Sequence, residues 1–138
     1  MNKSTIQSKL TGPVFPIITP FKKDKKNSID YDSAIKYVDF LYENGVRNFY
    51  VMTYNSRFSL MSWDEMKEFN KVITLAVKSK DDDCICIVAD PLTNPTDVSI
   101  EFAQSAQECG ADMISMIFME RYYNDDQDFN HFNSVAKE

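Results

Sequence analysis

Apolar residues along this chain switch repeatedly between two rhythms. Near-continuous apolar runs at Val14 to Ile18, Val46 to Met52, Cys84 to Ala89 and Ala111 to Phe118 predict four strands buried on both faces. Between them, apolar positions recur at three- and four-residue spacing, which predicts helices. The first helix opens after Asp30 as N-cap and carries Ile35, Val38, Leu41 and Tyr42. The second opens at Ser62-Trp63-Asp64-Glu65, a capping box in which serine and glutamate each satisfy an orphan backbone donor. Its apolar face is Met66, Phe69, Val72, Ile73, Ala76 and Val77. Thr96 is expected to cap a third helix carrying Val98, Phe102, Ala103, Ala106 and Cys109, and a fourth is expected from near Asp128, with Phe129, Phe132 and Val135 on one face. Gly45 and Gly110 follow the first and third helices, where a left-handed residue closes the last turn. Lys22 to Ser28 reads as a polar connector and Asp81 to Asp83 as a turn.

The order is therefore strand then helix, four times, with no shift in composition to mark a linker. Strict alternation implies a parallel sheet with right-handed crossovers. Two α/β architectures fit: an open doubly wound sheet, or four units of a (β/α)8 TIM barrel. Periodicity does not separate them.

Composition narrows the function more than the fold. At 138 residues, 43% apolar, the chain is long enough for one well-buried domain, and disorder is excluded. No run reaches the ~18–20 apolar residues of a membrane span, and Met1 to Leu10 lacks the apolar stretch of a secretory signal. A net charge of −6 with no basic stripe argues against nucleic acid as a partner. Three cysteines are too few for a disulfide framework and point to a reducing, cytoplasmic setting.

Local motifs choose between the architectures. Gly12-Pro13-Val14-Phe15-Pro16-Ile17-Ile18-Thr19-Pro20-Phe21 resembles the first strand of the dihydrodipicolinate synthase / N-acetylneuraminate lyase family. The resemblance continues through Ile29-Asp30-Tyr31, Asn44-Gly45-Val46, Leu60, the capping box at Ser62, Thr93-Asn94-Pro95-Thr96, Cys109-Gly110-Ala111-Asp112 and Tyr122-Tyr123-Asn124. It covers residues 12–138, the stretch read as the N-terminal half of the barrel, with residues 1–11 as an N-terminal tail. The family comprises (β/α)8 class I aldolases, usually oligomeric, that make or break a carbon–carbon bond of a 2-oxo acid such as pyruvate through a lysine Schiff base. No cofactor is implied. The resemblance places that lysine at the end of the sixth strand and a proton-relaying tyrosine at the end of the fifth, beyond the four units read here.

The resemblance also supplies candidate site residues. After its second strand the family carries Gly-Thr-Thr-Gly-Glu, which holds the substrate carboxylate; the matching stretch here is Met52-Thr53-Tyr54-Asn55-Ser56, followed by Arg57. Thr53 would join a hydroxyl relay. Tyr54 keeps a hydroxyl but adds a ring expected to fill the small pocket. Asn55, in place of a glycine, is expected to tolerate left-handed geometry. Ser56 replaces the glutamate, and Arg57 offers a carboxylate fork or else a solvated loop charge. After the fourth strand, Tyr123 takes the place of a tyrosine that reaches a neighbouring subunit's site, or packs on the barrel rim.

Other groups carry less. Cys84 and Cys86 share one strand face and read as small buried hydrophobes, not as metal ligands. His131, the single histidine, is expected on the surface, and Trp63 on the barrel exterior. Three readings remain: a lyase or synthase acting on a 2-oxo acid, a non-catalytic family member serving as a binding or assembly subunit, and a self-contained open-sheet binding domain.

Overall fold

The computed structural model describes residues 3–90, 95–117 and 124–137. The N-terminal segment, read as a tail, contains a short helix α1 (Lys3–Lys9), tied to the Asp81–Asp83 turn by a Lys9–Asp83 ion pair. Four strands follow in order: β1 (Phe15–Pro16), β2 (Asn48–Val51), β3 (Ile85–Ala89) and β4 (Met113–Ser115). They alternate with helices α2 (Tyr31–Glu43), α3 (Trp63–Lys78), α4 (Thr96–Glu108) and α5 (Asp125–Ala136). The strands form one parallel sheet in the order β1-β2-β3-β4. A doubly wound sheet reverses its strand order at a switch point. This one does not reverse, so it is wound in one sense, as a barrel is.

Most helix ends follow the sequence signals. Asp30 caps α2, accepting hydrogen bonds from the Ser33 amide and hydroxyl. Ser62 and Glu65 form the complete capping box on α3. Gly45 and Gly110 adopt φ of +90° and +89°, which only glycine enters without steric cost. Thr96 differs from expectation: Pro95 occupies the N-cap of α4 with no side-chain bond, and Thr96 Oγ1 is instead 2.9 Å from Nδ1 of His131 on α5. His131 is only 4% exposed, so the expected surface position is corrected. The lone histidine finds its partner on another helix, which local pattern does not reveal. Helix α5 also begins earlier than expected, capped by Asn124, and Phe129 is exposed while Val135 is buried.

Register divides the sheet into two faces. Phe15, Phe49, Cys86, Val88 and Ile114 lie on one, paired across strands and packed beneath the helices. Phe49, Phe69 of α3 and Phe102 of α4 are among the largest fully buried side chains. Trp63 packs on Phe102 with ring centroids 5.2 Å apart in this helix layer, as expected of an exterior residue. Cys84 and Cys86 are fully buried, and burial pushes the Cys86 thiol up to about 12. The other face carries Pro16, Tyr50, Asn48, Ile85, Ile87, Ala89, Met113 and Ser115.

At the N-terminal end of β4 a clamp joins three elements. Lys78 donates to both carboxylate oxygens of Asp112, at 3.0 and 2.9 Å, and to the Cys84 carbonyl. Asp112 also accepts from the Cys86 amide at 2.8 Å. One carboxylate thereby fixes the end of α3 and the start of β3 to the turn entering β4. No helix among the described residues is long and apolar enough to cross a membrane.

Candidate functional site

The C-terminal ends of β1, β2 and β3 open into a cleft of about 360 Å³, bordered by Pro16, Tyr50, Thr53, Asn55, Ala89 and Asp90 among others. In a parallel sheet wound as a barrel, this is the end where strand termini and their loops converge. The cleft lies over the sheet face that turns away from the helices.

The loop after β2 forms one wall, and its shape follows from two unusual backbone positions. Met52 has φ +58° and Arg57 has φ +57°, both in the left-handed region that side chains enter at a cost. Met52 stands where the resembling motif begins with glycine, so the backbone geometry that favours glycine is kept without the glycine. Its side chain is buried at 1% exposed. Asn55, expected to supply the left-handed residue, lies inside a 3₁₀ turn at Tyr54–Ser56 instead. Arg57 ends that turn and caps the next, at Phe58–Leu60.

Ser56 braces the loop from within. It is fully buried, its amide donates to the Thr53 carbonyl at 2.9 Å, and its hydroxyl donates to the same oxygen at 2.6 Å. Spent on the backbone, Ser56 does not border the cleft, and exposed Arg57 does not border it either. The structure therefore does not bring these two to the cleft. Thr53, Tyr54 and Asn55 do line the cleft. Tyr54 is 79% exposed and meets Phe58 edge-on at 6.4 Å, so its ring stands on the rim and does not fill the pocket as expected. Thr53 is 9% exposed, and its Oγ1 has no hydrogen-bond partner among the described residues. A buried hydroxyl without a partner is costly unless something else completes it.

Two bordering groups escaped the sequence reading. Tyr50 rises from β2 and its hydroxyl lies 2.6 Å from Ser115 Oγ on β4. Asp90, just after β3, accepts from buried Ser99 at 2.6 Å, and its amide donates to the Ser115 carbonyl. Strand register could have flagged Tyr50 as facing the same side as Pro16, but a tyrosine within an apolar run reads simply as core. Among the described residues, no lysine borders the cleft, and no group of three His, Cys, Asp or Glu is placed to hold a metal. Tyr123 lies outside the described residues, as do Thr93 and Asn94.

Comparison with known proteins agrees with this architecture. Residues 9–138 match the model of the dihydrodipicolinate synthetase family. A 4-hydroxy-tetrahydrodipicolinate synthase from Kosmotoga olearia is 31% identical over 129 residues, covering 91% of this chain and 41% of that protein. The crystal structure of N-acetylneuraminate lyase from Mycoplasma synoviae superposes with a TM-score of 0.78 at 25% identity, over 94% of this chain and 43% of that one. A prophage protein of the dihydrodipicolinic acid synthase family from E. coli K12, solved in complex with pyruvate, superposes with a TM-score of 0.81 over 93% of this chain and 41% of its own. At 24% identity that likeness speaks for the fold alone. The chain thus spans about two-fifths of the length of the curated relatives it matches, and its four β/α units correspond to part of their TIM barrel. The chain belongs to the dihydrodipicolinate synthetase family.

Proposed function

We propose that this chain supplies the carboxylate-binding wall of a lyase or synthase that forms or cleaves a carbon–carbon bond of a 2-oxo acid such as pyruvate through a lysine imine. The observation that carries the reading is Thr53: a buried hydroxyl without a partner, bordering a cleft at the catalytic end of a family barrel. A bound carboxylate would accept from that hydroxyl, relieving the cost of its burial. Thr53 and Asn55 orient the acid while Tyr54 and Phe58 shield the rim. Tyr123 is assigned the tyrosine that reaches a neighbouring subunit's site, with packing on the barrel rim as the alternative, and the imine lysine belongs to the sixth strand of the family barrel. Ser56 keeps the loop in shape instead of touching the ligand, and Arg57 serves to attract the anion from outside the cleft.

Reductive trapping tests this reading. The full-length polypeptide, treated with pyruvate and borohydride, is expected to gain the pyruvate skeleton on one lysine. Absence of an adduct with every 2-oxo acid tried would support the second reading, a binding or assembly subunit. That alternative draws on the same loop, where Ser56 and Arg57 no longer meet the cleft. The reading also includes a cytoplasmic homo-oligomer without a cofactor. Free Cys84, Cys86 and Cys109 suit a reducing compartment, and sedimentation of the full-length protein tests the assembly.

A further inference from the structure

Tyr50 lies on the sheet face opposite the helix core. Its neighbours in β2, Phe49 and Val51, are fully buried beneath the helices, whereas Tyr50 is half-buried and borders the cleft. In register it pairs with Pro16 on β1 and Ile87 on β3. Its hydroxyl nevertheless reaches Ser115 on β4, two strands away and 65 residues along the chain, at 2.6 Å. The ring must therefore cross β3 on the way. It can do so because the residue of β3 opposite Ser115 is Ala89, whose methyl leaves the space a larger side chain would fill. Tyr50 thus lies along the cleft floor, pinned at both ends.

Hydrogen-bond capacity decides what the pair can do. Two hydroxyls carry two protons, and the bond between them uses one. The second proton and the remaining lone pairs face elsewhere, and Tyr50 is the member of the pair that borders the cleft. Among the described residues no charged partner bonds either hydroxyl, so the floor offers a neutral, pre-oriented group beneath the wall that carries Thr53. A 2-oxo acid has two polar ends one bond apart. With its carboxylate against the Thr53 wall, its carbonyl oxygen is the group left to meet the floor.

We infer that Tyr50, held by Ser115, is a substrate-positioning residue whose hydroxyl donates to the 2-oxo oxygen of the acid as it first binds, before the lysine displaces that oxygen as water. This rests on the proposed 2-oxo acid reading. It adds a donor that distinguishes a 2-oxo acid from the plain carboxylic acid of the same length. The role of Ser115 is indirect: it fixes the phenol in place, and its loss frees the ring without removing the hydroxyl.

The test compares pyruvate with propanoate, which has the same chain and carboxylate but no oxo group, by calorimetric titration of the full-length protein. The background has its imine-forming lysine replaced by alanine, so that the oxo oxygen is retained, and wild type denotes Tyr50 and Ser115 intact in that background. The wild type is expected to bind pyruvate more tightly than propanoate. Tyr50→Phe is expected to weaken pyruvate by roughly threefold to tenfold, the range for one neutral hydrogen bond, and to leave propanoate unchanged. Ser115→Ala should show the same selectivity at smaller size, and Ser115→Thr should restore wild-type discrimination. A merely structural role would weaken both ligands together or lower thermal stability without changing their ratio, and either result overturns the inference. Equal pyruvate binding by wild type and Tyr50→Phe overturns it also, while leaving the 2-oxo acid reading intact. Failure of the wild type to bind any 2-oxo acid overturns both, so the two failures are distinguishable.

Discussion

The two faces of the sheet are built from the same four strands on opposite principles. Toward the helices, every paired position is apolar, and Phe49, Val51, Cys86 and Val88 have no exposed surface. Toward the cleft, apolar Ile85 and Ile87 alternate in space with Asn48, Tyr50 and Ser115, and half of the positions remain partly open. Burial on the first face brings free energy in proportion to area, with no directional demand. Polar groups on the second must each find a partner, so they fix geometry more than they add stability. The helix-facing side holds the fold together, and the cleft-facing side is free to carry chemistry.

The strongest test of this division is a pair of truncations. Phe49→Ala should cost about 3–5 kcal/mol in urea unfolding, because Phe49 is fully buried in the same core cluster as Phe69 and Phe102. Met113→Ala, on the half-exposed cleft side, should cost roughly 1–2 kcal/mol. Equal costs would break the comparison. Next in size is the clamp: Asp112→Ala strands Lys78 and the Cys86 amide, and should cost about 3 kcal/mol by the same measurement. Its side chain is 4% exposed, so solvent offers little compensation.

A third, smaller effect is a pH dependence of the helix-facing side. The Cys86 thiol is raised from 9.0 to about 12, chiefly by burial. Because the folded value lies above the unfolded one, the stability contributed by the neutral thiol is fully present below pH 9. It is lost as pH rises from there toward 12, at about 1.4 kcal/mol per unit. Unfolding midpoints at pH 8 and pH 10 should show this loss, and Cys86→Ala should lessen it. The smallest effect on stability belongs to the cleft. Thr53→Val replaces an unpartnered buried hydroxyl with a methyl and should change stability by under about 1 kcal/mol. Pyruvate affinity should nevertheless fall measurably in a titration. A large stability loss would instead assign Thr53 to the fold and not to the site.

How much of this was legible beforehand depends on the range of the interactions. Signals that act within one turn read directly: Asp30, the Ser62–Glu65 box, Gly45 and Gly110 all end helices as their sequence context predicts. Asn55 shows the limit even of local inference. Its residue type suits a left-handed position, yet Met52 and Arg57 take that geometry, because the loop's direction is set by where β2 must end and α3 begin. Of the stretch singled out after β2, Thr53, Tyr54 and Asn55 border the cleft, but where each side chain points is not legible in the sequence. Ser56 turned inward to the Thr53 carbonyl, Tyr54 stood out on the rim, and Arg57 lay beyond the cleft.

The sequence by itself determined the alternation of strand and helix, most helix ends and the position of each strand run, because these follow from periodicity and backbone donors within a few residues. Only the tertiary structure decided which side of each strand meets the helices, that Thr96 serves His131 instead of its own helix, and that Tyr50 crosses Ala89 to reach Ser115. Those outcomes depend on partners 35 and 65 residues away. Chain folding brings such partners together through the register of parallel strands, and no local pattern in either segment encodes the meeting.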